Sequence, residues 1–93
     1  MDAKLSREAR SAALAKLPGW QEVSGREAIA KTFVFADFNE AFGFMARAAL
    51  VAEKMDHHPD ILIQYSKVRL TVSTHSAGGL TDMDFELAKR IDA

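Results

Sequence analysis

The stretch Ile29-Ala30-Lys31-Thr32-Phe33-Val34-Phe35-Ala36-Asp37-Phe38-Asn39-Glu40-Ala41-Phe42-Gly43-Phe44-Met45 decides the fold, because its hydrophobic period changes partway along. Up to Ala36 the pattern alternates. Ile29, Phe33 and Phe35 share one face with Lys31, and Ala28, Ala30, Thr32 and Val34 share the other. A period of two belongs to a strand. From Asp37 the period becomes helical, and Asp37 with Glu40 three residues on forms a variant of the capping box. The helical pattern runs to about Met55 or Asp56, and Pro59 disfavours α conformation at His58, so the helix is expected to end near His57. Two apolar stripes run along it. Phe38, Phe42, Met45, Ala49 and Ala52 make one; Phe44, Ala48, Val51 and Met55 make the other. Together they exceed the ~100° that a surface helix turns toward one core. One face is expected on a sheet, and the surplus points to burial against another subunit.

Upstream, Ser6 is positioned to cap a first helix, with Glu8 in its first turn and Pro18-Gly19 as its stop. Ala9, Ala12, Ala13 and Leu17 are expected on its inner face. Trp20 to Val23 reads as a short strand and Ser24-Gly25 as a turn. Downstream, Ile61 to Tyr65 reads as a strand and Ser66-Lys67 as a tight turn. Val68, Leu70, Val72 and Thr74 then alternate with Arg69, Thr71 and Ser73. Ser76 to Gly79 is expected as a loop. Thr81 caps a last helix with Asp84 at its third position, and Leu80 and Phe85 flank the cap as a hydrophobic staple. The expected class is α+β: a four-stranded antiparallel sheet with three helices on one face, in the order α-β-β-α-β-β-α.

With 93 residues, the chain has room for one domain, 1–93, with a modest core. It has no cysteine, which excludes disulfides, zinc ribbons and thiol nucleophiles. A formal net charge of −1 argues against direct nucleic-acid binding, which needs a clear Lys/Arg excess. The early charges Asp2, Lys4, Arg7, Glu8, Arg10 and Lys16 are followed by no long apolar run, so neither a secretory signal nor a membrane span is expected. The expected compartment is the cytoplasm.

All three histidines, His57, His58 and His75, fall in one short window at the ends of a helix and a strand. Imidazoles exchange protons near neutral pH, which suits acid–base catalysis. The bland alternative is a histidine placed at a helix C-terminus for the dipole. Nearby carboxylates are Glu53, Asp56 and Asp84. Glu53 and His57 stand at i,i+4 and pair if the helix persists that far. Asp84 is already explained by its cap. A three-histidine zinc site is disfavoured, because adjacent residues such as His57 and His58 diverge and no His-Glu-x-x-His helix is present. Neither metal nor other cofactor is expected.

The run Glu53-Lys54-Met55-Asp56-His57-His58-Pro59, then Tyr65-Ser66-Lys67-Val68 and Ser73-Thr74-His75, resembles the pterin-4a-carbinolamine dehydratase family, known in animals as the dimerization cofactor of a homeodomain transcription factor. The similarity extends through Gly19-Trp20, Gly25-Arg26, Phe35 to Phe38, Ala41 to Met45 and Gly79-Leu80-Thr81. One departure stands at Ile61, where the family often has an aromatic residue.

The resemblance implies the same element order and assembly as a homodimer or homotetramer through the sheet edge and helix 37–56. It implies dehydration of 4a-hydroxytetrahydropterin to quinonoid dihydropterin and water, which returns the pterin cofactor of aromatic amino-acid hydroxylases toward its reducible form. His57, His58 and His75 are the catalytic candidates, with His57 and His75 as the acid–base pair and His58 as an orienting group. Pro59, Thr74, Ser76 and Ala77 are expected to contact the pterin. Glu53, Asp56 and Asp84 are expected to orient the imidazoles or set their charge. The alternative is an oligomeric interaction module, or transcriptional coactivator, that presents helix 37–56 to a partner helix.

Overall fold

At Asp37 the change of period is realised as a reciprocal cap. The Asp37 side chain accepts the Glu40 backbone N–H at 2.9 Å, and Glu40 Oε1 accepts the Ala36 N–H at 3.0 Å. The computed structural model describes residues 3–92; Met1, Ala93 and the N-terminal charge Asp2 lie outside them. The order is α1 (Arg7–Leu14), β1 (Gln21–Glu22), β2 (Ile29–Val34), α2 (Phe38–Met55), β3 (Asp60–Gln64), β4 (Lys67–Val72) and α3 (Asp82–Asp92), with a 3-10 turn at His75–Ala77. It matches the α-β-β-α-β-β-α expectation.

The strands form one antiparallel sheet in the order β1-β2-β4-β3. Ile29 stands opposite Val72, and Phe33 opposite Val68. Period two places Ile29, Val68, Leu70 and Val72 on the covered face, all buried. Ala41, Ala48 and Ala52 of α2 pack into the same core, with Leu80, Leu87, Ala88 and Ile91 from the α3 side. Small alanines let α2 lie close to the sheet, while Phe44, Val51 and Met55 fill its flanks. The opposite sheet face exposes Val34 and Leu62, with Ala30 on it buried.

Three local expectations shift. The inner side of α1 is Arg10, Ala13 and Leu14, leading to buried Leu17, whereas Ala9 and Ala12 are exposed. Leucines bury more apolar area than alanines, so they set the rotation. The second hairpin turns at Tyr65-Ser66, with Tyr65 at φ 49° and Lys67 already paired to Gln64. Ser76 and Ala77, expected in a loop, belong to the 3-10 turn. On α2, the second stripe faces the core, joined by Ala52 and Met45 of the first. Phe38 and Phe42 from the first are about half exposed, and Leu50, outside both stripes, is 69% exposed.

Candidate active site

Helix α2 ends through a left-handed residue. Asp56 has φ 51°, its N–H donates to Glu53 O at 3.1 Å, and the His57 N–H donates to Ala52 O at 3.0 Å. These bonds satisfy carbonyls that the helix end would otherwise leave open. The reversal takes His57 off the helical path, so the i,i+4 pairing with Glu53 does not form. Instead Glu53 Oε1 lies 2.7 Å from His58 Nε2 in an exposed pair. His57 Nε2 lies 2.6 Å from Asp84 Oδ1. The His57 side chain is 12% exposed and Asp84 is fully buried.

Asp84 is also the cap of α3. Its Oδ2 accepts the Thr81 N–H at 2.9 Å and the Thr74 hydroxyl at 2.8 Å. The Thr81 and Thr74 hydroxyl oxygens are 2.8 Å apart, and the Met83 N–H donates to Thr81 Oγ1 at 3.2 Å. Each hydroxyl has one proton. Thr74 uses its proton on Asp84, so Thr81 donates to Thr74. The carboxylate therefore receives donors at Oδ2, and Oδ1 faces the imidazole. An ionised carboxylate only accepts, so beside Asp84 in that form the His57 hydrogen sits on Nε2.

Thr74 also closes the loop that bears the third histidine. Its N–H donates to Gly79 O at 2.9 Å, and the Gly79 N–H returns to Thr74 O at 3.3 Å. The 3-10 turn His75–Ala77 lies between these residues and ends at Gly78, φ 73°, a conformation that favours glycine. His75 is exposed and lines a groove of about 650 Å³ with Arg10, Arg26, Glu27, Ser73 and Gly79. His57 and His58 do not line that groove. The structure thus ties His57, Asp84 and Thr74 into one buried network, sets His58 with Glu53 at the surface, and places His75 next to Thr74 on the neighbouring groove. Pro59 is half-buried beside His58, Ala77 is half-buried, and Ser76 and Asp56 are exposed.

The groove contains groups that reading the sequence did not single out as site residues. Arg26 donates to Ser73 Oγ at 3.4 Å and stands 3.5 Å from Asp60. Glu27 takes Lys4 and Arg10, each at 2.6 Å. The hydrogen bond from Lys4 is the main reason that the Glu27 carboxyl is held below the ordinary glutamate range. Gly79 backs this cluster: a Cβ there would stand 2.8 Å from Lys4 Cε and 2.9 Å from Glu27 Oε1. The one sequence signal was Gly25-Arg26, since a basic residue after a turn glycine is otherwise unremarkable. Among the described residues, no group of three or more His, Cys, Asp or Glu side chains is arranged to hold a metal ion. None of the described helices is long and apolar enough to cross a membrane.

Residues 3–93 match the family described as pterin 4 alpha carbinolamine dehydratase. A relative from Bradyrhizobium diazoefficiens, whose name carries the words pterin-4-alpha-carbinolamine dehydratase, is 61% identical over 100% of this chain and 93% of its own length. One from Paraburkholderia xenovorans with the same wording is 53% identical over 97% of this chain and 94% of its own. A solved structure from Brucella melitensis, described as a transcriptional coactivator/pterin dehydratase, is 48% identical. It covers 96% of this chain and 95% of its own, with a TM-score of 0.92.

Proposed function

This chain belongs to the pterin 4 alpha carbinolamine dehydratase family and is a dehydratase, a hydro-lyase, and from that premise we propose that it converts 4a-hydroxytetrahydropterin to quinonoid dihydropterin and water. The observation that carries the proposal is the 2.6 Å contact between His57 and a fully buried Asp84, linked through Thr74 to the turn of His75. In this reaction the C4a–O bond breaks with its electron pair, and the oxygen takes a proton to leave as water. The proton on N5 is lost as the C4a=N5 bond forms. One acid and one base suffice, and such assistance is worth ~10²–10⁴-fold.

His57 and His75 are assigned as that pair. Asp84 holds His57 in the Nε2–H form and stabilises the imidazolium when Nδ1 takes a proton. His58, paired with Glu53, orients the pterin. Pro59, Thr74, Ser76 and Ala77 supply its contacts, and Asp56 positions the two histidines by turning the chain. The reaction recycles the pterin of aromatic amino-acid hydroxylases, in the cytoplasm, within a single domain spanning 1–93. The test follows decay of 4a-hydroxytetrahydropterin generated in situ by such a hydroxylase. Faster decay with the protein, abolished in His57→Ala and His75→Ala, is expected. Unchanged decay with folded protein overturns the reading.

A second reading concerns assembly. Phe38, Phe42 and Leu50 leave an apolar strip of α2 exposed, and β3 is a five-residue edge strand. Both features favour a homodimer or homotetramer through the sheet edge and α2. The same strip supports a coactivator role in which α2 meets a partner helix. Light scattering on wild type and Leu50→Glu separates the two, because only the assembly reading requires the mass to fall.

A further inference from the structure

On the far side of α2 from its exposed strip runs a cleft of about 730 Å³, walled by β2, α2 and the end of α3. Its volume lies in the ~300–1,000 Å³ range of small-molecule sites. Neither the histidines nor their carboxylate partners line it. The floor is aromatic. Phe44 packs against Phe33 with centroids 4.5 Å apart and against Phe35 at 5.1 Å, and all three rings remain half-buried. Isolated half-buried rings are ordinary. Three joined through Phe44 on one concave wall offer a surface on which a further ring would find offset or edge contacts.

The rim is cationic. Lys31, Arg47 and Arg90 line the cleft against one carboxylate, Asp92. That carboxylate is already engaged: Oδ2 accepts Trp20 Nε1–H at 2.9 Å and Oδ1 accepts Lys31 at 3.2 Å. Lys31 also lies 4.8 Å over the Phe33 ring. Arg90 donates through Nε to Glu86 and keeps its terminal nitrogens. Arg47 makes no ion pair or side-chain hydrogen bond among the described residues. The cleft therefore combines an aromatic wall with the uncommitted guanidinium of Arg47 and the terminal nitrogens of Arg90, and a guanidinium fork matches a carboxylate.

We propose that this cleft is a second binding site, for a small aromatic carboxylate whose ring lies on Phe33 and Phe44 and whose carboxylate meets Arg47. The proposal does not depend on the dehydratase assignment. The cleft is open, so affinity in the millimolar to high-micromolar range is expected, about 10⁻³–10⁻⁴ M.

The test titrates 3-phenylpropionate into the assembled, nitrogen-15-labelled protein, following backbone amide resonances. Saturating shifts at Phe33, Phe44, Arg47 and Ile91 are expected. Binding should weaken about tenfold in Arg47→Gln and for 3-phenylpropanamide, because each removes a charge-assisted hydrogen bond. Arg47→Gln should keep wild-type dehydratase turnover, and Arg90→Gln serves as a second variant if the first misfolds. No saturating shift up to about 10 mM, shifts confined to the His75 groove, or equal binding by wild type and both variants would each overturn the proposal. Equally tight binding of hexanoate would overturn its aromatic class.

Discussion

His57 and Asp84, 27 positions apart in sequence, meet at 2.6 Å between Nε2 and Oδ1, and the same carboxylate accepts the Thr81 N–H at the start of α3. The fold and the proposed chemistry share one buried group here. Its other oxygen is held by Thr74 and Thr81, so the direction of each hydrogen in the network is set by donor counting.

Asp84→Ala is expected to lower stability by about 3–5 kcal/mol, because it leaves His57, Thr74 and the α3 N-terminus without their acceptor. Asp84→Asn retains shape but presents an amide that cannot accept at both positions. It should fold, with reduced turnover and a shifted pH–rate profile. Urea denaturation and initial rates across pH separate the two effects; an unchanged profile in Asp84→Asn would show that Asp84 only caps the helix.

Separate replacement of His57 and His75 by Ala is expected to lower kcat by ~10²–10⁴-fold each. His75→Ala should keep a native circular dichroism spectrum, since His75 is exposed. His57→Ala also removes a partner of buried Asp84, so its rate is compared under conditions where circular dichroism shows it folded. Decay of 4a-hydroxytetrahydropterin is the readout. Near-wild-type rates in either variant would remove that histidine from the pair.

Thr74→Val keeps volume and removes one hydroxyl. It strands the Thr81 hydroxyl and one bond to Asp84, at an expected cost of ~1–3 kcal/mol. Glu53→Gln, by contrast, breaks only the exposed pair with His58 and should change stability by less than ~1 kcal/mol. Chemical denaturation of both variants side by side checks this order, and a larger loss in Glu53→Gln would reverse it.

The carboxyl of Glu27 is held below its ordinary range, chiefly by the hydrogen bond from Lys4. A depressed folded value means the contribution is present above the unfolded glutamate pKa and is lost as pH falls through the folded value. The gap in urea midpoint between wild type and Glu27→Gln should therefore be widest near neutrality and close on acidification below about pH 4. Midpoints that stay parallel down to pH 3 would refute the linkage.

Much of the architecture was legible because it rests on local patterns. The period change at Asp37, the cap of Thr81 with Asp84 and the alternation from Val68 to Val72 each involve neighbours within a turn or a strand. The histidines were legible as a group through their motif. The misreadings came where a single backbone conformation redirected the chain. Asp56 adopts the left-handed region, which moved His57 away from Glu53 and gave Glu53 to His58. Arg26, Arg10 and Glu27 went unnoticed as groove residues because they gather across 17 to 47 positions.

By itself, the sequence determined the strands, the helices, their caps and the family, since periodicity and capping act over a few residues and a motif is read in linear order. Only the tertiary structure decided that Asp84 lies against His57, that Thr74 joins them, and that His75 opens onto a groove with Arg10, Arg26 and Glu27. Those pairings depend on where the ends of α2, β4 and α3 come to rest together. That arrangement is settled by burying Leu70, Leu80 and Leu87 in one core, a non-directional force that leaves no mark in the spacing of the polar residues it brings into contact.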